Sequence, residues 1–278
     1  LSATATALCG FVHLLAGLDA LFGVWRFYAP AQLVSPFGNT NHLAAWLTLG
    51  GTVALGLALE AKAREAVVGW GLSALLCGLG VFLSFSRGGI GALILAWLLV
   101  GASLLASRGG GLRNVLPWVL IGGTGVMAGL LAFEQLVGRA ESVSTVEQLK
   151  VTKMELWPSM FEGASKHWPA GMGLGAYELG FARFNDKDPS VTFTHPENIA
   201  LQKMSEHGFP AALMLGGLGL WLAARTWRRV RPLTLERVAS LAVLGVVIHD
   251  VFDFALELNA VSAGVAVEIP LVLQVLSF

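Results

Sequence analysis

Charged residues are scarce in this sequence. Asp, Glu, Lys and Arg make up 13% of its 278 residues, whereas soluble domains contain about 25%. Lys and Arg together number 18, and so do Asp and Glu, so the chain has no net charge that would attract a polyanion. The composition therefore excludes a disordered chain and a nucleic-acid-binding surface.

Cysteine is rarer still. Cys9 and Cys77 are the two cysteines, and both lie in apolar runs. Two cysteines define neither a disulfide framework nor a zinc site. Apolar residues are abundant instead, since 55% of the chain is hydrophobic and 34 residues are glycine. Glycine is common where helices approach each other closely in lipid, so these features predict a multi-pass membrane protein.

Apolar segments of spanning length are distributed over most of the chain. A helix needs about 20 mainly apolar residues to cross the hydrocarbon core of a bilayer, and eight segments come near this length. They are residues 2–24, 41–59, 66–84, 89–106, 115–137, 198–224, 237–255 and 258–276. We predict an all-α integral membrane protein with about eight transmembrane helices. Its predicted parts are transmembrane helices at 1–137, a large loop with interfacial helices at 138–197, and transmembrane helices at 198–278.

Basic residues in the short loops predict the orientation, because Lys and Arg in short loops mark the cytoplasmic side. The loops after the second, fourth and sixth segments hold half of the 18 Lys and Arg residues. The short loops on the opposite side hold only Arg26 and Arg87. The long loop 138–197 is therefore predicted on the non-cytoplasmic side, where a loop of this length is usually functional.

Two short helices are predicted in the long loop, near residues 143–167 and 174–184. The glycine-rich stretch 169–177 is the predicted turn between them. The first helix has the pattern of an amphipathic helix that lies on the membrane. Its interfacial residues would be Trp157, Met160, Phe161 and Trp168; a plain packing helix is the alternative.

Polar residues collect at the non-cytoplasmic ends of four separate segments. They are Asn41 and His42, Ser86 and Arg87, His195, Glu197 and Asn198, and His249, Asp250 and Asp253. Polar groups at membrane depth are costly and by default indicate function. Accidental polar residues would be scattered over both sides, so the convergence predicts one site that faces the large loop.

The stretch 194–214 is the richest in polar residues. Asn198, Gln202 and Glu206 are spaced four residues apart, which places them on one helical face with His195 just before it. The functional interpretation is a catalytic wall with His195 as general base, oriented or supported by Glu206. The alternative is a capped helix whose polar ridge hydrogen-bonds to the loop.

Arg87 supplies a guanidinium at the membrane edge, next to Gly88 and Gly89. A guanidinium grips phosphate through two hydrogen bonds, and a following helix N-terminus also favours anions. The functional interpretation is a diphosphate clamp. The alternative is an interfacial Arg that reaches toward lipid headgroups.

His249, Asp253 and Glu257 are also four residues apart. A metal site formed by His249, Asp250 and Asp253 is conceivable, but the spacing matches no established metal motif. We therefore predict no metal and no cofactor. The favoured alternatives are pairing with cations, a wet cavity, or an interfacial kink between two helices.

Five stretches in this order resemble the O-antigen ligase and polymerase superfamily. They are "FGNTNHLAAWL" (37–47), "SFSRGGIGAL" (84–93), "LWPSMFEGASKHWPAGMGLGAYELGF" (156–181), "THPENIALQKMSEHGFPAALML" (194–214) and "HDVFDFALELNAVSAGV" (249–265). The superfamily comprises bacterial inner-membrane glycosyltransferases of the GT-C type and includes protein O-oligosaccharyltransferases. Members usually have about a dozen spans, so the resemblance implies that further N-terminal helices precede this chain.

The resemblance implies transfer of a glycan from undecaprenyl diphosphate to an acceptor on the periplasmic face of the inner membrane. A ligase uses lipid A–core, a polymerase uses another lipid-linked glycan, and an oligosaccharyltransferase uses a protein hydroxyl. At the positions that match the family motifs, the resemblance implies that Arg87 binds the diphosphate and that His195 activates the acceptor hydroxyl. The family is implied to be metal-independent, with cations that neutralise the leaving group. We expect the ligase reaction here.

Three departures from the family pattern bear on the site. Lys153 stands where the family has an Arg four residues before the loop Trp, which keeps the charge and loses the guanidinium fork. His195 is separated from Asn198 where the family often reads His-Asn, and an Arg before residues 39–41 is missing.

A transporter or flippase for a lipid-linked or anionic solute is the competing class, although no inverted repeat is evident.

Overall fold

The computed structural model is mostly helical in the part of the chain that it describes. It describes residues 1–26, 33, 35–106, 115, 117–125, 153–185, 192–196, 198–229, 234–253, 255–257, 261 and 263–265. Two strands of two residues each are the β-structure within these ranges. The prediction of a helical protein is confirmed. Most of the predicted last span, residues 258–276, lies outside the described residues.

Three helices in the described part are long and apolar enough to cross a membrane. They are Thr40–Glu60, Arg64–Leu83 and Arg87–Leu105. These helices, α2 (Thr40–Glu60), α3 (Arg64–Leu83) and α4 (Arg87–Ala106), correspond to the second, third and fourth predicted segments. A further helical stretch, α5, covers residues 117–125. The count of eight spans stays a prediction.

The first predicted segment is wrong beyond its first half. Helix α1 covers Ser2–Leu15 and is followed by a hairpin of β1 (Ala20–Leu21) and β2 (Trp25–Arg26). Gly17 and Gly23 adopt φ values of 63° and 72°. Glycine adopts positive φ at little steric cost, so the chain can leave the helical path here. His13 fixes the hairpin, because its Nε2 accepts a 2.7 Å hydrogen bond from the Phe22 N–H.

The chain divides into two units, and each is described by itself. The first unit comprises residues Leu1–Ala132, Arg225–His249 and Ala255–Phe278. Its helices α2, α3 and α4 approach closely at glycines. A Cβ on Gly51 would lie 2.9 Å from Cys77 Cβ, and one on Gly78 would lie 2.9 Å from the Trp97 ring. The Trp97 indole donates a 3.2 Å hydrogen bond to Thr52, so the largest buried ring also has its polar group satisfied.

Helix α9 (Leu235–His249) packs antiparallel on α2 within the first unit. Gly56 near the end of α2 faces Val238, whereas Thr48 near its middle lies beside Gly245. The α-helix ends at His249 and continues as a 3₁₀ turn at Asp250–Phe252. The predicted helix 237–255 is therefore wrong after residue 249. Asp favours turns over helix interiors, because its side chain competes for backbone groups.

The second unit comprises Phe133–Ala224 and Asp250–Phe254. Its helices are α6 (Lys153–Lys166), α7 (Tyr177–Phe181) and most of α8 (Ile199–Arg229). Leu156, Met160, Tyr177, Phe181 and Leu201 form its buried apolar cluster.

The short helices α6 and α7 fall within the ranges predicted for the long loop. Residues 143–152 of the first predicted helix lie outside the described residues. Met160 is 2% exposed, so its predicted interfacial position is wrong, whereas Phe161 and Trp168 are 49% and 62% exposed. Met160 instead belongs to the buried cluster, because positions 156 and 160 lie one above the other on a helix.

Candidate functional site

The turn between α3 and α4 presents the predicted diphosphate ligand. Phe85 adopts a positive φ of 54°, and the Ser86 hydroxyl accepts a 3.1 Å hydrogen bond from the Gly89 N–H. Ser86 therefore caps the N-terminus of α4. Arg87 is the first residue of that helix, and its side chain is exposed. A cation at the N-terminus of a helix is not stabilised by the helix dipole. Helix stability therefore does not explain an Arg at this position, whereas binding of an anion does.

Two other helix ends meet this turn in the first unit. A Cβ on Gly89 would lie 2.4 Å from Ala44 Cβ, which brings the first turns of α2 and α4 together. That turn of α2 carries Asn41 and His42, and Asn39 caps it with a 2.8 Å hydrogen bond from the Asn41 N–H. His42 is buried.

The end of α9 completes this cluster. A Cβ on Gly88 would lie 3.4 Å from His249 Cδ2, so the His249 ring packs over the first turn of α4. His249 is 2% exposed. The helix ends that carry Asn41, His42, Ser86, Arg87 and His249 therefore lie close together in the first unit. We call these five residues the bundle-end cluster.

A chain of hydrogen bonds connects polar side chains in the second unit. His195 Nδ1 lies 3.4 Å from Gln202 Oε1, and Gln202 Nε2 donates a 2.8 Å hydrogen bond to Glu206 Oε1. Glu206 Oε1 also accepts a 3.1 Å hydrogen bond from the Gly175 N–H. We call His195, Gln202 and Glu206 the α8 relay. The predicted polar ridge of α8 is therefore a linked set of side chains.

Helix α8 breaks immediately after the relay. Gly208 has a φ of 80° and a ψ of 163°, which is a conformation available to glycine. Pro210 has no N–H for the carbonyl of Glu206, four residues earlier. The Gly173 N–H supplies the missing donor at 3.1 Å, and the Met172 N–H donates to the Ser205 carbonyl at 2.7 Å.

The glycine-rich loop at residues 171–175 is thus a part of the site that sequence reasoning missed. It was predicted only as a turn between two helices. Gly171, Gly173 and Gly175 all adopt positive φ, which lets the loop lie close against the break in α8. The sequence signal is the combination of Gly208 and Pro210 in an otherwise helical stretch. A helix that breaks there leaves backbone carbonyls that need N–H donors from another segment.

The remaining predicted site residues have other positions. The Asn198 side chain caps α8, because its Oδ1 accepts a 3.0 Å hydrogen bond from the Leu201 N–H. Lys153 is the first residue of α6, and only its backbone is described. Glu197 lies outside the described residues.

Asp250 and Asp253 belong to the second unit and are almost completely buried, with 0% and 1% exposure. Residues 250–252 form a 3₁₀ turn, so the helical face predicted to align His249 with Asp253 does not form. No group of three His, Cys, Asp or Glu side chains that could hold a metal occurs among the described residues. His249, Asp250 and Asp253 all fall within that part.

Two hydroxyls near the relay are buried without a hydrogen-bond partner among the described residues, Tyr177 Oη and Ser205 Oγ. Burial raises the pKa of the Tyr177 phenol, so the group stays neutral. Buried polar groups normally have partners. Within the described part of the second unit, these two hydroxyls are exceptions to that rule.

The chain matches a model of a protein family. The model described as O-antigen ligase matches residues 72–216, which is just over half of the chain. None of the curated proteins and none of the solved structures gives a significant match.

The matched range contains Arg87 and the whole α8 relay, whereas Asn41, His42 and His249 lie outside it. The three long apolar helices agree with the family in indicating a membrane protein. The family implies a glycosyltransferase-type enzyme with lipid-linked glycan substrates. The chain belongs to the O-antigen ligase family.

Proposed function

We propose that the chain is an inner-membrane ligase that transfers a glycan from undecaprenyl diphosphate to lipid A–core on the periplasmic side. The observation that carries the proposal is the α8 relay, in which a loop histidine contacts a buried amide and that amide donates to a buried carboxylate. An imidazole held in this way suits a general base better than a structural residue. The family match covers all three residues of the relay.

The proposed reaction is a displacement at the anomeric carbon of the donor. The acceptor hydroxyl oxygen bonds to that carbon while the bond from the carbon to the phosphate oxygen breaks. The hydroxyl proton goes to His195, and undecaprenyl diphosphate leaves with the electron pair. Arg87 and Lys153 neutralise the diphosphate, so that fixed cations take the role that a metal has in other transferases. Asp250, Asp253 and the bundle-end cluster support the site in this proposal.

The test uses the full-length protein in proteoliposomes that contain undecaprenyl-diphosphate glycan and lipid A–core, with EDTA present. We expect wild type to consume the donor and to form glycosylated lipid A–core. His195→Ala should lower the rate about 10²–10⁴-fold, the usual contribution of a general base. His167→Ala is the matched control, because its imidazole Nδ1 bonds to the Gly163 carbonyl within α6 and should leave the rate unchanged.

Each other outcome identifies a different error. Unchanged transfer by His195→Ala would remove the proposed base. Donor consumption that lengthens a lipid-linked glycan or modifies a protein would indicate a polymerase or an oligosaccharyltransferase. Movement of the donor across the bilayer without transfer would indicate a flippase.

A further inference from the structure

We propose that Gln202 is a positioning residue that keeps the proton of the neutral His195 ring on Nδ1 and so leaves Nε2 as the basic nitrogen. Glu206 and the glycine-rich loop hold Gln202 in the required orientation. The inference rests on the proposed function, because it assigns an atom to the base named there. It adds the reason why the proton of the neutral His195 ring is on one nitrogen and not on the other.

The orientation of the Gln202 amide follows from the chemistry of its neighbours. The Gln202 NH₂ donates to Glu206 Oε1 at 2.8 Å, and the same oxygen accepts from the Gly175 N–H, so the NH₂ end of the amide faces Glu206. The carbonyl end then faces His195 Nδ1, at 3.4 Å. Because an amide oxygen has no proton to donate, the hydrogen between these two atoms must be on Nδ1. The lone pair of the neutral ring is then on Nε2.

Burial gives this arrangement its strength. Gln202 is 2% exposed and Glu206 is 4% exposed. Hydrogen bonds are stronger where water does not compete, and an unsatisfied group is correspondingly costly there. Reversal of the amide would place its oxygen against Glu206 Oε1, so the contact with Glu206 would become repulsive.

Glu206 is held in place by the loop at residues 171–175. Its side chain accepts from the Gly175 N–H and its carbonyl accepts from the Gly173 N–H, both at 3.1 Å. Pro210 cannot supply the second bond from within the helix. The helix break therefore anchors the residue on which the amide orientation depends. In this role Glu206 acts as an acceptor of two N–H groups, and a neutral amide oxygen can replace it.

The experiment measures the tautomer directly and independently of activity. The full-length protein is labelled with ¹⁵N-histidine and reconstituted in lipid, at a pH of about 8.5 where an ordinary imidazole is neutral. Solid-state NMR distinguishes protonated from bare ring nitrogens, and the His195 signals are those absent from His195→Ala. We expect Nδ1 to be protonated in wild type. Gln202→Met, which keeps the length and volume of the side chain, should lose this preference.

Transfer rates of three variants test the same assignment. Gln202→Met should lower kcat about 10–100-fold, as the loss of an orienting partner does at ligating histidines, with the KM for donor unchanged. Glu206→Ala should lower kcat by a similar factor. Glu206→Gln should stay within about threefold of wild type, because its amide oxygen still accepts both N–H groups. Lower kcat with an intact KM separates orientation of the base from general disruption.

Three results would overturn the inference. They are a wild-type His195 protonated on Nε2, a Gln202→Met variant with unchanged spectrum and rate, and a Glu206→Gln variant as impaired as Glu206→Ala. The last would show that the charge of Glu206 matters more than its acceptor atoms. Failure of the proposed function is distinguishable, because His195→Ala would then keep its activity whatever tautomer the spectrum reports.

Discussion

The two units of the molecule use their buried polar residues differently. In the bundle-end cluster of the first unit, Ser86 hydrogen-bonds to the backbone at the start of its own helix, as its neighbour Asn39 does at the start of α2. In the second unit, His195, Gln202 and Glu206 bond to one another and to a loop that is distant in sequence. A cap stabilises the start of its own helix, whereas the contacts of the α8 relay fix the orientation of one side chain relative to another.

This difference predicts where substitutions act. A cap can be exchanged for another residue with an acceptor oxygen, because any such residue satisfies the same backbone N–H. A relay depends on which atom donates and which accepts, so its members tolerate only replacements that keep those roles. Substitutions at caps are therefore expected to change stability, and substitutions in the relay to change transfer activity. The largest expected changes in stability are at glycines.

The largest expected effect is at the helix break of the second unit. Gly208→Ala would place a Cβ 1.7 Å from the Pro169 carbonyl oxygen in a backbone conformation reserved for glycine. We expect the loop to separate from α8 at a cost of more than about 4 kcal/mol. Thermal unfolding in detergent measures the loss. Gly216→Ala is the control in the same helix, since nothing lies within 4 Å of its Cβ.

A Gly208→Ala variant as stable as Gly216→Ala would show that the loop is not anchored at the break. The α8 relay would then lose its structural support in the second unit, and the contrast with the first unit would disappear.

A smaller effect is expected in the first unit, at the contact of α2 with α4. Gly89→Ala would place a Cβ 2.4 Å from Ala44 Cβ and force the two helices apart. Overpacking of this kind costs about 1–3 kcal/mol. Gly91→Ala, one half-turn away, meets nothing within 4 Å and should gain about 0.5–1 kcal/mol from better helix propensity. Equal stability of the two variants would mean that this contact is loose.

The sequence predicted helix positions better than helix ends. Hydropathy placed α2, α3 and α4 within a few residues, because each is a long apolar run with polar residues at both ends. It failed after Leu15, where Gly17 and Gly23 turn an apolar stretch into a hairpin held by His13. Hydropathy does not distinguish an apolar helix from an apolar hairpin, and the fixing hydrogen bond is between residues of different elements.

The candidate site was predictable to the same degree. The sequence placed Asn41, Ser86, Arg87 and His249 at helix ends on one side, and the helix ends that carry them lie close together in the first unit. Their convergence with His195 on one site stays a prediction. The alignment of Gln202 with Glu206 followed from helical spacing. The contact of Glu206 with the Gly175 N–H did not follow, because it depends on three glycines of positive φ that join residues 31 positions apart.

The smallest expected effect tests the caps, one in each unit. Ser86→Ala and Asn198→Ala each remove an acceptor from a helix N-terminus and should cost about 1 kcal/mol in thermal unfolding. Ser86→Asn and Asn198→Ser should restore the stability, because each supplies another side-chain oxygen to the same N–H. Restored stability with a lost transfer rate would mean that the original side chain also contacts substrate. Restored stability and rate together would assign both residues to the fold and leave the α8 relay as the part of α8 in which the identity of each atom matters.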